Sequence, residues 1–213
     1  MKIRSILIIF IPAIAVAAFA LFASFIQYQP KRIPFNNPNK PEILNIVPIY
    51  AEDIILGNLK AGKTIIAFED LGCSHCQDQM LIFDELLSKY PGRIKIILKT
   101  LNVIRFPFAS DEAHKYLFCA NEQNKVNDFK SLVLEDKRLD SNSLNLIAVS
   151  SGLNTDALES CITDSRTLNY TQKNEALAKN LGIESVPTIF INNKVIQEPL
   201  SLSGWESILS LSN

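Results

Sequence analysis

The chain opens on an apolar run and breaks into short periodic patterns only later. Lys2 and Arg4 precede an uncharged stretch, ILIIFIPAIAVAAFALFASFI, from Ile6 to Ile26. As a helix, a segment of this length rises roughly 30 Å, the hydrocarbon thickness of a bilayer. A cleaved secretory signal has a shorter apolar core of about 7–15 residues followed by small residues, a role open to Ala18, Ala20 and Ala23. Residues 1–27 are therefore expected to form a signal anchor, with a removed signal peptide as the alternative. The cations at the N-terminus favour a cytoplasmic start, although Lys31 and Arg32 flank the other end. Residues 28–42, YQPKRIPFNNPNKPE, hold four prolines and no sustained pattern, which reads as a semi-rigid tether.

From about Ile43 the pattern is globular. KTIIAFED (63–70) is a short apolar, β-branched run expected to be a buried strand. Cys76, Met80, Phe83, Leu87 and Tyr90 then recur at helical spacing up to Pro91-Gly92. RIKIILK (93–99) alternates Ile and Lys and reads as a second strand, so the opening is β-α-β with a parallel pair. Helical stretches follow near 109–123, 126–135, 143–150, 155–163 and 166–181, with Gly182 placed as a C-cap. VPTIFINNKVIQ (186–197) predicts two strands joined by a tight turn at Asn192-Asn193, because Asn tolerates positive φ. A last amphipathic helix over about 201–211 carries Trp205, Ile208 and Leu209. The expected fold class is α/β, with a helical insertion at about 105–181 between β-α-β and β-β-α halves.

Composition narrows the function classes. The 213 residues are 47% hydrophobic with a net charge of -1, enough for one packed domain plus an extension. So even a balance offers no electrostatic footprint for nucleic acid. Neither G-x-G-x-x-G, Walker A nor H-E-x-x-H occurs, which leaves nucleotide and zincin chemistry without support. All four cysteines lie beyond the apolar run, an even number suited to an oxidising compartment.

Two of those cysteines form Cys73-Ser74-His75-Cys76, placed where the first strand gives way to a helix. Unpaired N–H groups and the macrodipole at a helix N-terminus favour an anion, here a thiolate on Cys73. His75 in the first turn would tune that thiolate. Cys76, one turn on, would form or open a disulfide with little backbone motion. Cys73 is thus the expected nucleophile and Cys76 the resolving thiol. A zinc half-site is an alternative, but the remaining ligand candidates, Cys119, Cys161 and His114, are scattered. A merely structural disulfide is another, although so short a loop contributes little. Val186-Pro187-Thr188 opens a late strand, where a proline needs no pairing partner. A cis bond there would bring backbone towards the cysteines; a trans edge proline is the other reading.

IIAFEDLGCSHC, the LFCANEQNK helix and LGIESVPTIFINNKVI together resemble the DsbA-type branch of the thioredoxin superfamily, over roughly residues 53–211. The resemblance implies a thioredoxin-like domain over 43–213 and thiol–disulfide oxidoreductase activity without a cofactor or metal. It implies Cys73, His75 and Cys76 as the redox centre, and Val186-Pro187 as a cis-proline loop that binds substrate. It further suggests that Cys119 and Cys161 pair as a structural disulfide, worth at most about 4 kcal/mol in the chain-entropy picture. Implied partners are reduced or misoxidised exported proteins and a membrane quinone-linked reoxidant. The location would be periplasmic or extracytoplasmic, anchored in the inner membrane through residues 6–26. The expected activity is that of a dithiol oxidase introducing disulfides into exported clients; a reductase or isomerase, or a thioredoxin-fold metal- or client-binding module, is the alternative. Two positions depart from the family. Ser74 stands where proline is common, and Ala67 occupies the position of a buried glutamate. Glu69 and Asp70 are expected at the surface or in a turn.

Overall fold

The computed structural model describes residues 46–199 and 201–211, together with Phe19. The chain divides into two units, Met1–Pro41 and Glu42–Asn213, and Phe19 aside the described residues belong to the second. Apart from Phe19, the expected anchor and tether lie outside the described residues. Among the described residues no helix is long and apolar enough to cross a membrane.

Five strands form one mixed sheet: β1 (Ile54–Gly57), β2 (Lys63–Glu69), β3 (Ile94–Thr100), β4 (Thr188–Ile191) and β5 (Lys194–Ile196), in the order β1-β3-β2-β4-β5. β2 and β3 are parallel, in register from Lys63 opposite Ile94 to Glu69 opposite Thr100. Helix α1 (Ser74–Lys89) connects them. Five helices follow: α2 (Asp111–Glu122), α3 (Val126–Asp136), α4 (Ser141–Ser150), α5 (Thr155–Ile162) and α6 (Ser165–Leu181). Then the β4–β5 hairpin and α7 (Leu202–Leu209) complete the fold. This is the thioredoxin-like α/β arrangement with helices inserted between its two halves.

Both faces of the central strands are covered, which is why they read as nearly continuous apolar runs. Ile65, Ala67, Ile96 and Leu98 face the larger core with Met80 and Phe83 of α1 and Trp205 of α7. Phe83 and Trp205 meet edge to face at 5.2 Å. Ile66, Phe68 and Ile97 face a smaller core with Leu177 and Ala178 of α6. At the predicted turn, Asn192 and Asn193 both take positive φ, and Gly182 caps α6 at φ 68°.

The sequence pattern missed β1. Its four residues carry too little alternation to stand out, and it forms only by antiparallel pairing with β3, Ile54 opposite Leu98. The first half is therefore β-β-α-β. Just before β1, Asp53 forms an ion pair with Lys99 at 2.6 and 2.8 Å, both side chains fully buried. Burial lowers the Lys99 pKa, and Asp53 opposes that shift. Asp53 also accepts from the Tyr50 N–H, so the pair secures the chain entering the sheet. Removing one partner of such a pair costs about 3–5 kcal/mol, because the other charge stays buried alone. Asp53→Ala is expected to lose that much in urea unfolding, and Asp53→Leu with Lys99→Met to recover most of it. A loss under about 1 kcal/mol in the single variant would mean the pair behaves as a solvated one.

Candidate active site

Cys73 is the N-cap of α1, in extended conformation, and its sulfur accepts the Cys76 N–H at 3.3 Å. It does with sulfur what serine or aspartate does with oxygen at this position. Cys73 is partly exposed and Cys76 fully buried, and both are free cysteines. Contact with the Cys76 thiol, then the N–H groups of Cys76 and His75, hold the Cys73 thiol down at about 6, against burial and the charge of Asp70. The same contact with Cys73, then burial and Glu69, push the Cys76 thiol far above the ordinary range. One sulfur is poised to attack or leave as an anion, and the other must hold a proton unless it forms a bond.

The Val186–Pro187 peptide is cis, and the Val186 carbonyl oxygen lies 4.0 Å from Cys73 Sγ. These residues, distant in sequence, thus meet at one surface. The His75 imidazole is about half exposed and lies 3.7 Å from the Glu198 carboxylate. Its backbone N–H is what reaches the Cys73 sulfur. Cys119 and Cys161 are joined in a disulfide that ties α2 to α5, with Thr167 Oγ1 beside both sulfurs.

Glu69 and Asp70 are both fully buried, against the surface or turn expectation. Strand parity explains Glu69: it lies two residues beyond Ala67, on the same inward face of β2. Carrying the strand alternation through to the end of β2 would have found it. The Glu69 carboxyl sits beside Cys76, and burial raises its pKa well above the ordinary value; Cys73, Glu198 and Asp70 raise it further. The acid absent at Ala67 is thus supplied one strand step closer to the cysteines.

Asp70 is engaged with the following loop. Its Oδ2 accepts from the N–H groups of Val103 and Ile104 at 2.7 Å and from Ser110 Oγ at 2.9 Å. Its Oδ1 accepts from the Gly72 N–H at 2.8 Å. Burial opposes ionisation, but the N–H groups of Ile104 and Gly72 hold the carboxyl below its ordinary value. Leu71 N–H donates to His114 Nε2 at 3.1 Å, which makes that nitrogen the acceptor. Nδ1 then donates to Asn102 Oδ1 at 2.7 Å. His114, weighed from sequence as a metal ligand, instead fixes the backbone leading into Cys73. A Cβ on Gly72 would come within 3.0 Å of Ile104 and 3.2 Å of Leu139, so a larger residue would have to push these side chains aside by a few tenths of an ångström. Among the described residues no cluster of three or more His, Cys, Asp or Glu converges as a metal site.

A thioredoxin family model, described simply as "Thioredoxin", matches residues 50–210. The chain belongs to the thioredoxin family. Solved structures share its fold. The catalytic domain of Proteus mirabilis ScsC is 18% identical, with a TM-score of 0.66, over 78% of this chain and 91% of that one. The thiol-disulfide exchange protein α-DsbA2 from Wolbachia pipientis is 21% identical, with a TM-score of 0.66, over 76% and 88%. A periplasmic thioredoxin-like protein from Salmonella enterica serovar Typhimurium is 16% identical, with a TM-score of 0.65, over 75% and 89%. Comparison with curated proteins finds no match. The chemistry open to two thiols so placed is thiol–disulfide oxidoreduction.

A carboxyl that keeps its proton when buried gives stability a definite pH slope. Above about pH 4.3, the ordinary glutamate value, the folded chain binds more protons at Glu69 than the unfolded chain. Stability contributed there is full below that pH and falls as pH rises towards the folded-state value. With the Cys73–Cys76 pair held oxidised, Glu69→Gln is expected to match the native chain in urea unfolding at pH 4 and to exceed it at pH 8. An equal difference at both pH values would contradict a buried, protonated Glu69.

Proposed function

We propose that this protein is an exported dithiol oxidase that introduces disulfides into client proteins. The observation that carries the reading is the pairing of a helix-capping, readily ionised Cys73 with a buried, proton-holding Cys76. Favouring the Cys73 thiolate stabilises the reduced pair, and a disulfide whose reduced form is stable is a strong oxidant.

The reaction starts from the Cys73–Cys76 disulfide. A client thiolate attacks Cys73 Sγ; the client–Cys73 bond forms, the Cys73–Cys76 bond breaks, and the electron pair leaves on Cys76 Sγ. Cys76 takes a proton from the neighbouring Glu69 carboxyl. A second client thiolate then attacks the client sulfur, closing the client disulfide and releasing Cys73 as its thiolate. The Val186 carbonyl, facing Cys73, is suited to accept a main-chain hydrogen bond from an extended client segment. Exposed Val103, Phe106 and Phe108, on the loop whose Ile104 packs over Gly72, offer apolar contact beside it. Cys119–Cys161 serves in this reading as a structural staple.

An extracytoplasmic setting is supported by the apolar run at residues 6–26 and by the periplasmic protein among the similar structures. In this setting residues 6–26 anchor the protein in the inner membrane, residues 28–42 tether the thioredoxin-like domain over 43–213, and a membrane quinone-linked partner reoxidises the pair.

The reduction potential of the Cys73–Cys76 pair tests the direction. A value nearer about -120 mV than about -270 mV is expected, and one near the lower figure would make the protein a reductant. Alkylation of Cys73 by iodoacetamide should follow a titration midpoint at about 6. Cys73→Ala is expected to abolish disulfide formation in a reduced client; full retention of that activity would refute the mechanism.

A further inference from the structure

The sequence pattern predicts that the His75 side chain tunes the Cys73 thiolate. In the fold it is the His75 backbone N–H that reaches the sulfur, whereas ring Nε2 lies 3.7 Å from the Glu198 carboxylate. Glu198, which follows β5, is only 21% exposed and does not sit on a loose segment. His75 and Gln79 stand four residues apart on α1 and so share one face of that helix. Gln79 is buried. Oriented so that both ends of its amide are satisfied, it donates to the Pro199 carbonyl at 3.3 Å and accepts the Trp205 indole N–H at 3.0 Å. A Cβ on Gly204 of α7 would meet the Pro199 ring at 2.6 Å, so the lack of a side chain there lets the segment seat against α7. Glu198 and Pro199 thus run beside the first two turns of α1, and the Glu198 carboxylate is held next to the redox motif.

An imidazole beside a thiolate stabilises it, as a cation or as a hydrogen-bond donor. Paired with a carboxylate it does so less, because the protonated ring and its partner carry no net charge together and the carboxylate sets where the ring points. Both side chains are partly solvated, so the pair adds little to stability and acts through where it holds the ring. We propose that Glu198 is a positioning residue that draws the His75 ring away from Cys73 and so makes the redox pair less oxidising than its motif alone would. The inference rests on the exchange chemistry proposed above for Cys73 and Cys76, in whichever direction that chemistry runs. In the equilibrium concerned, two reduced glutathione molecules give two electrons to the Cys73–Cys76 disulfide. That bond breaks and one glutathione disulfide forms. Cys76 keeps one of the two protons released, and Cys73, as its thiolate, leaves the other to solvent. Whatever stabilises this thiolate moves the equilibrium towards the reduced protein.

Other charges reach the same site. Asp70 acts on Cys73 directly, and Glu198 acts on Glu69 as well as on His75. An effect of Glu198 by its charge alone does not involve the imidazole, and it persists when the imidazole is removed. An effect through the position of the ring does not.

The test compares the native chain with Glu198→Gln, His75→Ala and the double variant, by equilibration in glutathione buffers and by the thiolate absorbance of Cys73. Glu198→Gln is expected to lower the Cys73 midpoint below its native value of about 6. The glutathione equilibrium should move roughly tenfold towards the reduced protein, equivalent to about 30 mV. In the His75→Ala background the same substitution should move it by less than about twofold, the difference being the coupling between the two side chains. Equal shifts in both backgrounds overturn the proposal, because Glu198 then acts by its charge alone. A Cys73 midpoint that rises in Glu198→Gln overturns it too, because the carboxylate then supports the ring at the sulfur. So does a midpoint that stays put while urea unfolding changes, which is the mark of a merely structural contact. Should the native pair prove to have the potential of a reductant, the oxidase reading falls, while the comparison between backgrounds still decides the role of Glu198.

Discussion

The site is organised around a sulfur that caps a helix. By accepting the Cys76 N–H, Cys73 satisfies one of the donors that every helix leaves unpaired at its start, and in return those donors stabilise its anion. A local backbone requirement and a chemical one are met by the same atom. The rest of the site depends on that geometry. If α1 began a residue later, Cys73 would lose its N–H partners, and Cys76 would no longer stand one turn away in the core.

Polar groups deep in a protein are costly, and this fold places several of them under and beside the active surface. Asp70 is resolved by saturation, accepting bonds from Gly72, Val103, Ile104 and Ser110. Lys99 is resolved by pairing with Asp53. Glu69 is resolved by neither, and burial then favours its protonated form. Three carboxylates on one small domain are thus handled in three ways. The one without a permanent partner is the one beside the Cys76 thiol.

Rigidity around Cys73 is also distributed. Gly72 admits Ile104 and Leu139 to within van der Waals contact, and His114 holds the Leu71 N–H. The backbone entering α1 is therefore fixed by groups drawn from the β3–α2 loop, from α2 and from the α3–α4 connection. The inserted helices do more than decorate the thioredoxin core; they supply the wall against which the redox loop is set.

Periodicity in the sequence was sufficient for β2, α1, β3, the five inserted helices, the hairpin and α7, because each has an apolar pattern strong enough to declare its own period. The strand-to-helix position of Cys73 and Cys76, and hence the chemistry, followed from the same local signals. β1 was not legible, since Ile54–Gly57 becomes a strand only when β3 lies alongside it. Nor was the burial of Glu69 and Asp70, for a carboxylate reads as surface until the partners that tolerate it are known. The closeness of Val186 to Cys73 depends on β4 pairing with β2, a contact between segments more than a hundred residues apart. Local sequence thus determined which elements form and where along them the two thiols stand. Tertiary structure alone decided which charges share their low-dielectric interior, because that depends on which distant segments pack together.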